Sequence, residues 1–192
     1  EYSDKGWRHV ATLAEPWGPN RAFSRPGFEF SYNEQDDEIL AIQVAATLGW
    51  MRAQTIELTG YHDLPVLQVW IEPLGEALGW LDAEQTTLVI PVRSLDGTRR
   101  TALDAAMQSE IAELLAQRWT EAMFVELGVP MYHRWIEPEM AAFLRHTLDP
   151  AAPPAPMLDP LVTAFGPELM PTFIESMRDR PIPGAALPAA MR

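Results

Sequence analysis

The chain has 192 residues, a formal net charge of −13 at pH 7, 47% hydrophobic residues and no cysteine. This composition predicts one globular domain with a full core, and it excludes disulfide frameworks, thiolate nucleophiles and zinc–thiolate sites. A surface this acidic repels phosphate backbones, so we expect no nucleic-acid partner, and the absence of cysteine favours a reducing, cytoplasmic compartment.

The first 33 residues predict short strands separated by proline and glycine turns. Residues 10–14 and 28–32 alternate between apolar and polar side chains, which is typical of strands. Between them, Trp17 lies in the sequence PWGPN. A proline- and glycine-rich turn does not easily bury so large a ring, so we predict that Trp17 is exposed and anchors a partner.

A buried helix is predicted next. Asn33 is followed by several carboxylates, a helix-start signal, and the run from Ile39 to Leu48 leaves almost no polar face. We expect the core to enclose this helix, which is too short an apolar run to span a membrane. Residues 55–59 and 66–71 then have strand-like patterns, with a hairpin connection at 60–65.

A third strand and two helices follow. Residues 86–93 are rich in β-branched side chains, and Pro91 places this strand at an edge or a bulge because proline cannot donate to a strand ladder. The sequence from Thr101 resembles a capping box, and apolar residues then recur three and four positions apart, which predicts a long helix over 102–127. Another helix is predicted from Pro138 to Leu148.

The C-terminal segment has a different character. Ten of the eighteen prolines lie in residues 150–192, together with many large apolar side chains. Proline keeps a chain extended and apolar groups need cover, so we predict an extended arm that packs back on its own domain or wraps around another subunit. The arm residues predicted to contact a partner are Phe165, Leu169, Met170, Phe173, Ile174 and Met177.

The tetrapeptide Trp-Ile-Glu-Pro occurs twice, at residues 70–73 and 135–138. The flanking patterns differ: the first copy lies in a predicted strand, whereas the second follows a long helix. We therefore reject a duplicated fold and interpret each copy as a local anchor of tryptophan and isoleucine. A shared site of Glu72 and Glu137, dividing acid and base work, is the less favoured alternative.

One weak constellation of catalytic or metal-ligating residues comprises His133, Glu137 and His146. Imidazole and carboxylate groups are suitable ligands for zinc or iron. However, Pro138 interrupts the spacing, and the sequence has no His-Glu-x-x-His pattern. We predict neither a metal site nor a cofactor, and we assign no catalytic residue.

Together these patterns predict an α+β domain over 1–149, with a small, mainly antiparallel sheet against two or three helices, and an extended Pro-rich arm over 150–192. The leading hypothesis is a non-enzymatic protein-binding subunit, such as a chaperone, adaptor, inhibitor or assembly component. It uses the apolar arm and the acidic body to bind another protein or a second copy of itself. The alternative is a small enzyme or ligand-binding protein with a site near His133, Glu137 and His146.

Overall fold

The computed structural model describes residues 2–3, 6–7, 19–33, 38–72, 77–92, 100 and 102–177. The strands of this part are β1 (Tyr2–Ser3), β2 (Gly6–Trp7), β3 (Asn20–Arg25), β4 (Phe28–Asn33), β5 (Leu67–Glu72), β6 (Gly79–Trp80) and β7 (Thr87–Pro91). The helices are α1 (Glu38–Thr59), α2 (Ala105–Glu126), a 3-10 helix (Met131–Ile136), α3 (Glu137–Leu148), α4 (Leu158–Phe165) and α5 (Leu169–Met177). Trp17 and the predicted strand over 10–14 lie outside the described residues.

Five strands form one mixed sheet in the order β3-β4-β5-β7-β6, and β1 pairs separately with β2. β3 and β4 form an antiparallel hairpin, and β6 is antiparallel to β7. The central pairs, β4 with β5 and β5 with β7, are parallel. The predicted α+β class is confirmed, but the prediction of a mainly antiparallel sheet is wrong, because its two central pairings are parallel.

This error arises at residues 55–59, which continue α1 instead of forming a strand. The buried hydroxyls of Thr55 and Thr59 donate to the carbonyl oxygens of Met51 and Thr55, at 3.0 and 2.6 Å. Both polar groups are therefore satisfied within the helix. Gly60, at φ +67°, donates its N–H to the carbonyl of Ile56 at 2.8 Å and ends the helix. α1 thus serves as the crossover that parallel strands β4 and β5 require, and no hairpin forms at 60–65.

The core lies between one face of the sheet and the helices. Alternate side chains of the three central strands are at most 1% exposed: Phe28, Phe30, Leu67, Val69, Ile71, Leu88 and Ile90. Their neighbours Glu29 and Gln68 point to the opposite face and are exposed. Trp119 of α2 is fully buried, with its ring centroid 6.5 Å from that of Phe28, so α2 also packs on the sheet.

The two predicted central helices are confirmed as α2 and α3. Asp104 caps α2 by accepting a hydrogen bond from the N–H of Met107 at 2.8 Å, and Pro138 lies in the first turn of α3. The predicted third strand is β7, but its predicted place at an edge is wrong, because β7 lies between β5 and β6. Pro91 is tolerated as its last residue, beyond the residues that pair with β6. No helix in the described part of the chain is both long and apolar enough to cross a bilayer.

The described part of the C-terminal segment is not an extended arm, because α4 (Leu158–Phe165) and α5 (Leu169–Met177) make up most of its residues after 157. Pro160 and Pro171 lie in the first turns of these helices, where no intrahelical N–H donor is needed, so proline does not oppose them. Met170, Ile174 and Met177 are at most 8% exposed and join the main core. Up to Met177, the segment packs on its own chain.

A carboxylate from α3 holds the start of α4. An Oε1 atom of Glu139 accepts hydrogen bonds from the N–H groups of Met157 and Leu158, the latter at 3.0 Å. Because these donors lie at the positive end of α4, we expect Glu139→Ala to lower the free energy of unfolding by about 1–2 kcal/mol. Urea unfolding measures this, with Glu110→Ala on the exposed side of α2 as control. Equal midpoints for both variants would contradict the capping role.

Candidate functional site

Helix α1 has two apolar faces, and the core covers only one of them. The covered face holds Leu40, Ala41, Val44, Ala45, Leu48 and Met51, each at most 6% exposed. The outward face carries five exposed apolar residues, called here the α1 stripe: Ile39, Ile42, Ala46, Trp50 and Ala53. The three largest, Ile39, Ile42 and Trp50, are 67, 55 and 48% exposed. Within the described part of the chain, this stripe is an exposed apolar surface on a helix whose other side packs in the core.

The geometry of the α1 stripe follows from its spacing. Its members are three or four residues apart, so they lie within about 80° of one another around the helix and extend over about 21 Å. The outward face of a surface helix is normally polar, but only Glu38, Arg52 and Glu57 of the 22 residues of α1 are charged. A contiguous exposed apolar surface of this kind is typical of an interaction site.

A groove of about 520 Å³ opens beside the stripe. We call it the α1 groove. Ala46 and Trp50 belong both to the stripe and to the groove, so the two form one continuous surface. Its other walls come from α1, from the start of α2, and from the end of α3 with the chain that follows it: Thr47, Met51, Ala105, Gln108, Leu148, Asp149 and Pro150. The groove gives the flat helix face a recess that can hold a side chain of a binding partner.

Asp149 supplies the negative charge of the α1 groove. A hydrogen bond from Ser109, followed in effect by one from the N–H of Ala151 and by the positive charge of Arg145, holds the pKa of its carboxyl below the usual value. The hydrogen bond from the N–H of Ala151 is 3.1 Å long. These interactions favour the charged form, so Asp149 is ionised at neutral pH.

Two arginines near this surface, one on α1 and one on α3, have acceptors of their own. Arg52 donates to the carbonyl oxygens of Leu64 and Pro65, at 2.7 and 3.1 Å, and lies about 120° around α1 from Ala46. Arg145 of α3 lies 3.2 Å from a carboxylate oxygen of Glu113. Among the described residues, the acidic groups beside the stripe and in the groove are those of Glu38, Glu57 and Asp149, and Arg145 lies close enough to Asp149 to act on its charge.

A second groove, of about 650 Å³, lies between α2, α3 and the chain after α3. We call it the proline groove, because Pro138, Pro153, Pro154 and Pro156 line it. Its four charged residues form two ion pairs: Arg145 with Glu113 at 3.2 Å, and Arg134 with Glu137 at 4.0 Å. These pairs leave the groove without net charge.

The predicted constellation of His133, Glu137 and His146 is only partly gathered. Glu137 lines the proline groove, but His146 does not. The Nδ1 atom of His146 lies 2.7 Å from the carbonyl oxygen of Ala152, which can only accept, so this nitrogen carries the proton. The side chain of His133 is outside what the structure describes. Among the described residues, no group of three or more histidine, aspartate or glutamate side chains could hold a metal ion.

The two copies of Trp-Ile-Glu-Pro fall on different elements. Glu72 ends β5, whereas Glu137 begins α3. Glu137 lines the proline groove and Glu72 does not. The structure therefore places the two glutamates in different environments, and each tryptophan, Trp70 and Trp135, is partly exposed at 37 and 49%.

The residues predicted to bind a partner through the arm are divided by the fold. Met170, Ile174 and Met177 are buried against their own chain, whereas Leu169 and Phe173 are half-buried. Phe165 is 67% exposed. With Met157 and Leu161, which are 39 and 40% exposed, it forms a short exposed row along α4; these two belong to the apolar residues of the segment but not to its predicted partner contacts.

Sequence reasoning also missed the α1 stripe. The spacing of Ile39, Ile42, Ala46, Trp50 and Ala53 was visible in the sequence. However, the lack of a polar face was interpreted as burial on all sides, which is the usual meaning of a uniformly apolar helix. The residues between the stripe positions form a second apolar row, and no signal in the sequence tells which of the two rows the fold covers.

Comparison with protein-family models, with curated proteins and with solved structures finds no significant match to this chain. The function is therefore inferred from the residues of the chain itself.

Proposed function

We propose that this chain is a non-enzymatic protein-binding subunit, a chaperone, adaptor, inhibitor or assembly component, that docks a partner protein on the α1 surface. One observation carries the proposal: the α1 stripe is exposed, and it is continuous with a recess beside Trp50. Complete burial of a large apolar side chain contributes about 1.5–3 kcal/mol, and Ile39, Ile42 and Trp50 each have about half or more of their surface left to bury. A partner that covers the stripe would remove this apolar surface from water, whereas it stays in contact with water in the free chain.

The cysteine-free composition fits a reducing cytoplasm in this proposal. In this proposal, the C-terminal segment does not act as the extended partner-binding arm that the sequence predicts. Through Met177 it completes the core of its own chain, and its exposed row of Met157, Leu161 and Phe165 is available as a second, smaller contact.

The test compares two exposed β-branched residues on two helices. Ile42 is 55% exposed on α1, and Val125 is 58% exposed on α2. The tagged full chain is cross-linked to its partner in the source cells, the partner is identified, and the complex is rebuilt from purified proteins. We expect Ile42→Asn to weaken the complex by about 10- to 100-fold, because hot-spot truncations cost about 1–3 kcal/mol. Val125→Asn is the matched control.

The outcome is read from light scattering and from a titration of the partner. A stoichiometric complex that Ile42→Asn weakens and Val125→Asn leaves intact supports docking on α1. If both variants bind as tightly as the wild type, α1 is not the docking surface. If both lose binding equally, the contact is non-specific, and the proposal is also wrong.

A second candidate function is ligand binding in the proline groove. The side chains of Arg134 and Arg145 line this groove at 31 and 33% exposure, and a guanidinium has N–H donors beyond one ion pair that can take further acceptors. A carboxylate ligand would supply such acceptors. A thermal-shift screen of small carboxylic acids tests this, with Arg145→Ala expected to remove the shift and Arg52→Ala, outside the groove, expected to retain it. A shift that persists in Arg145→Ala would show binding elsewhere.

A further inference from the structure

We infer that the occupant of the α1 surface is a basic amphipathic helix of a different protein. This inference rests on the proposed docking function and adds the shape and the charge of the partner. Its first support is shape. The α1 stripe is a narrow row about 21 Å long on a single helix, and helices pack by fitting such rows into the grooves of a partner helix. An apolar row at three- and four-residue spacing on the partner would match it.

The recess beside Trp50 adds a specific requirement. The α1 groove has a volume of about 520 Å³, and Trp50, Met51 and Leu148 contribute apolar surface to it. A partner helix lying along the stripe would place one large apolar side chain over this recess. Such an anchor at a central pocket is the usual source of binding energy in a helix-in-groove contact.

The second support is charge. Glu38 lies just before the first member of the stripe, Glu57 lies one turn beyond the last, and Asp149 lines the groove. The two glutamates are exposed, and the stripe between them carries no charge. Of the nearby arginines, Arg52 donates to backbone carbonyl oxygens, and Arg145 pairs with Glu113 while its charge also acts on Asp149, so the two exposed glutamates carry most of the negative charge. An apolar row with acidic groups at its ends and in its recess is complementary to an apolar row flanked by lysine or arginine.

The same charges disfavour a second copy of the chain as the occupant. A two-fold contact through α1 would place the two acidic surfaces against each other, since each patch meets itself in such an interface. Each copy also carries a net charge of −13. Like charges brought together in this way cost free energy, whereas a basic partner gains attraction and a faster association rate.

Two synthetic helices of about 18 residues serve as probes. Both carry leucine at the positions that face the stripe, and they differ only in flanking residues: lysine in one and glutamate in the other. Fluorescence anisotropy measures their binding to the full chain. We expect the lysine peptide to bind at least about tenfold more tightly at about 50 mM salt, and the difference to shrink at about 500 mM salt.

Variants of the chain make the measurement specific to the α1 surface. We expect Ile42→Asn to weaken the lysine peptide about tenfold and Val125→Asn to leave it unchanged. We expect Glu57→Gln to weaken it less, and Glu126→Gln, an exposed glutamate at the end of α2, to have no effect. Light scattering of the free chain reports self-association in the same samples.

Each other outcome overturns the inference. Equal binding of both peptides with dependence on Ile42 would mean that the surface does not read charge, while the proposed docking function stands. Binding of the lysine peptide without dependence on Ile42 or Glu57 would reflect the overall acidity of the chain. A dimer that Ile42→Asn dissociates would identify a second copy as the occupant. If neither peptide binds and the cellular complex is also independent of Ile42, both the inference and the proposed function fail.

Discussion

A chain shortened to residues 1–149 is expected to lose its stable fold, because the segment removed carries part of the main core. Four large side chains of the segment are buried with the body of the chain: Leu158, Met170, Ile174 and Met177. Burial of each contributes about 1.5–3 kcal/mol, so roughly 6–12 kcal/mol of stabilisation is lost. Since a domain is stable by only about 5–15 kcal/mol, little or nothing remains.

The loss is also expected to expose new apolar surface. α5 packs against α1, where Pro171 lies 3.2 Å from the position that a Cβ on Gly60 would occupy. Removing α5 uncovers the C-terminal end of α1 and the core behind it. Near-ultraviolet circular dichroism and urea unfolding of the full chain and the 1–149 chain measure the effect. We expect a cooperative transition only for the full chain, together with aggregation of the shortened one.

Two point variants separate this effect from the loss of chain length. Met170→Ala removes a fully buried side chain and should cost about 2–5 kcal/mol. Phe165→Ala removes a side chain that is 67% exposed on the neighbouring helix, and should change stability by less than about 0.5 kcal/mol. A 1–149 chain with the same unfolding midpoint as the full chain would contradict the packing of α4 and α5. In that case these helices would be free to serve as the predicted arm.

The elements that could be predicted from the sequence are those with local signals. α2 has a cap at Asp104, a sustained helical period and a stop at Gly128, which takes a positive φ of 64°. All of this information lies within the helix and its flanks. The parallel pairing of β4 and β5 depends on residues far apart in sequence. The sequence does not indicate this pairing. Residues 55–59 alternate between polar and apolar side chains, which predicts a strand, but five residues are too few to distinguish a strand from the end of a helix.

The C-terminal segment shows why composition alone misled the sequence analysis. Ten prolines in 43 residues suggest an extended chain. However, the effect of proline depends on its position in a helix, and Pro160 and Pro171 occupy first turns, where proline is tolerated. The sequence does predict that the apolar side chains of the segment pack against other residues. Which chain provides that cover is a tertiary property, and here the chain itself does so up to Met177.

The candidate site was missed for a similar reason. The sequence shows that α1 has two apolar rows, but both rows consist of similar residues. Ile42 and Leu48 differ only in what the rest of the fold places over them. Strand β4, α3 and α5 pack against α1, where the row that includes Leu48 is buried; within the described residues, the row that includes Ile42 is exposed. The proposed docking surface therefore depends on the orientation of α1, which directs Leu48 to the core and Ile42 to the solvent.

The orientation of α1 predicts opposite results for two alanine substitutions six residues apart. Leu48 is fully buried, so Leu48→Ala should lower the free energy of unfolding by about 2–5 kcal/mol through lost burial and the cavity left behind. Ile42 is 55% exposed, so Ile42→Ala should change it by less than about 0.5 kcal/mol. The higher helix propensity of alanine offsets part of the lost contact. Urea unfolding monitored by circular dichroism measures both.

The pair also decides how the binding experiments are interpreted. If Leu48→Ala is costly and Ile42→Ala is not, the outward face does not contribute to folding, and a loss of binding on Ile42→Asn reports the partner contact. If Ile42→Ala costs more than about 2 kcal/mol, the free chain covers that face itself. The α1 stripe would then be part of the core, and the exposure on which the docking proposal and the basic-helix inference depend would be absent.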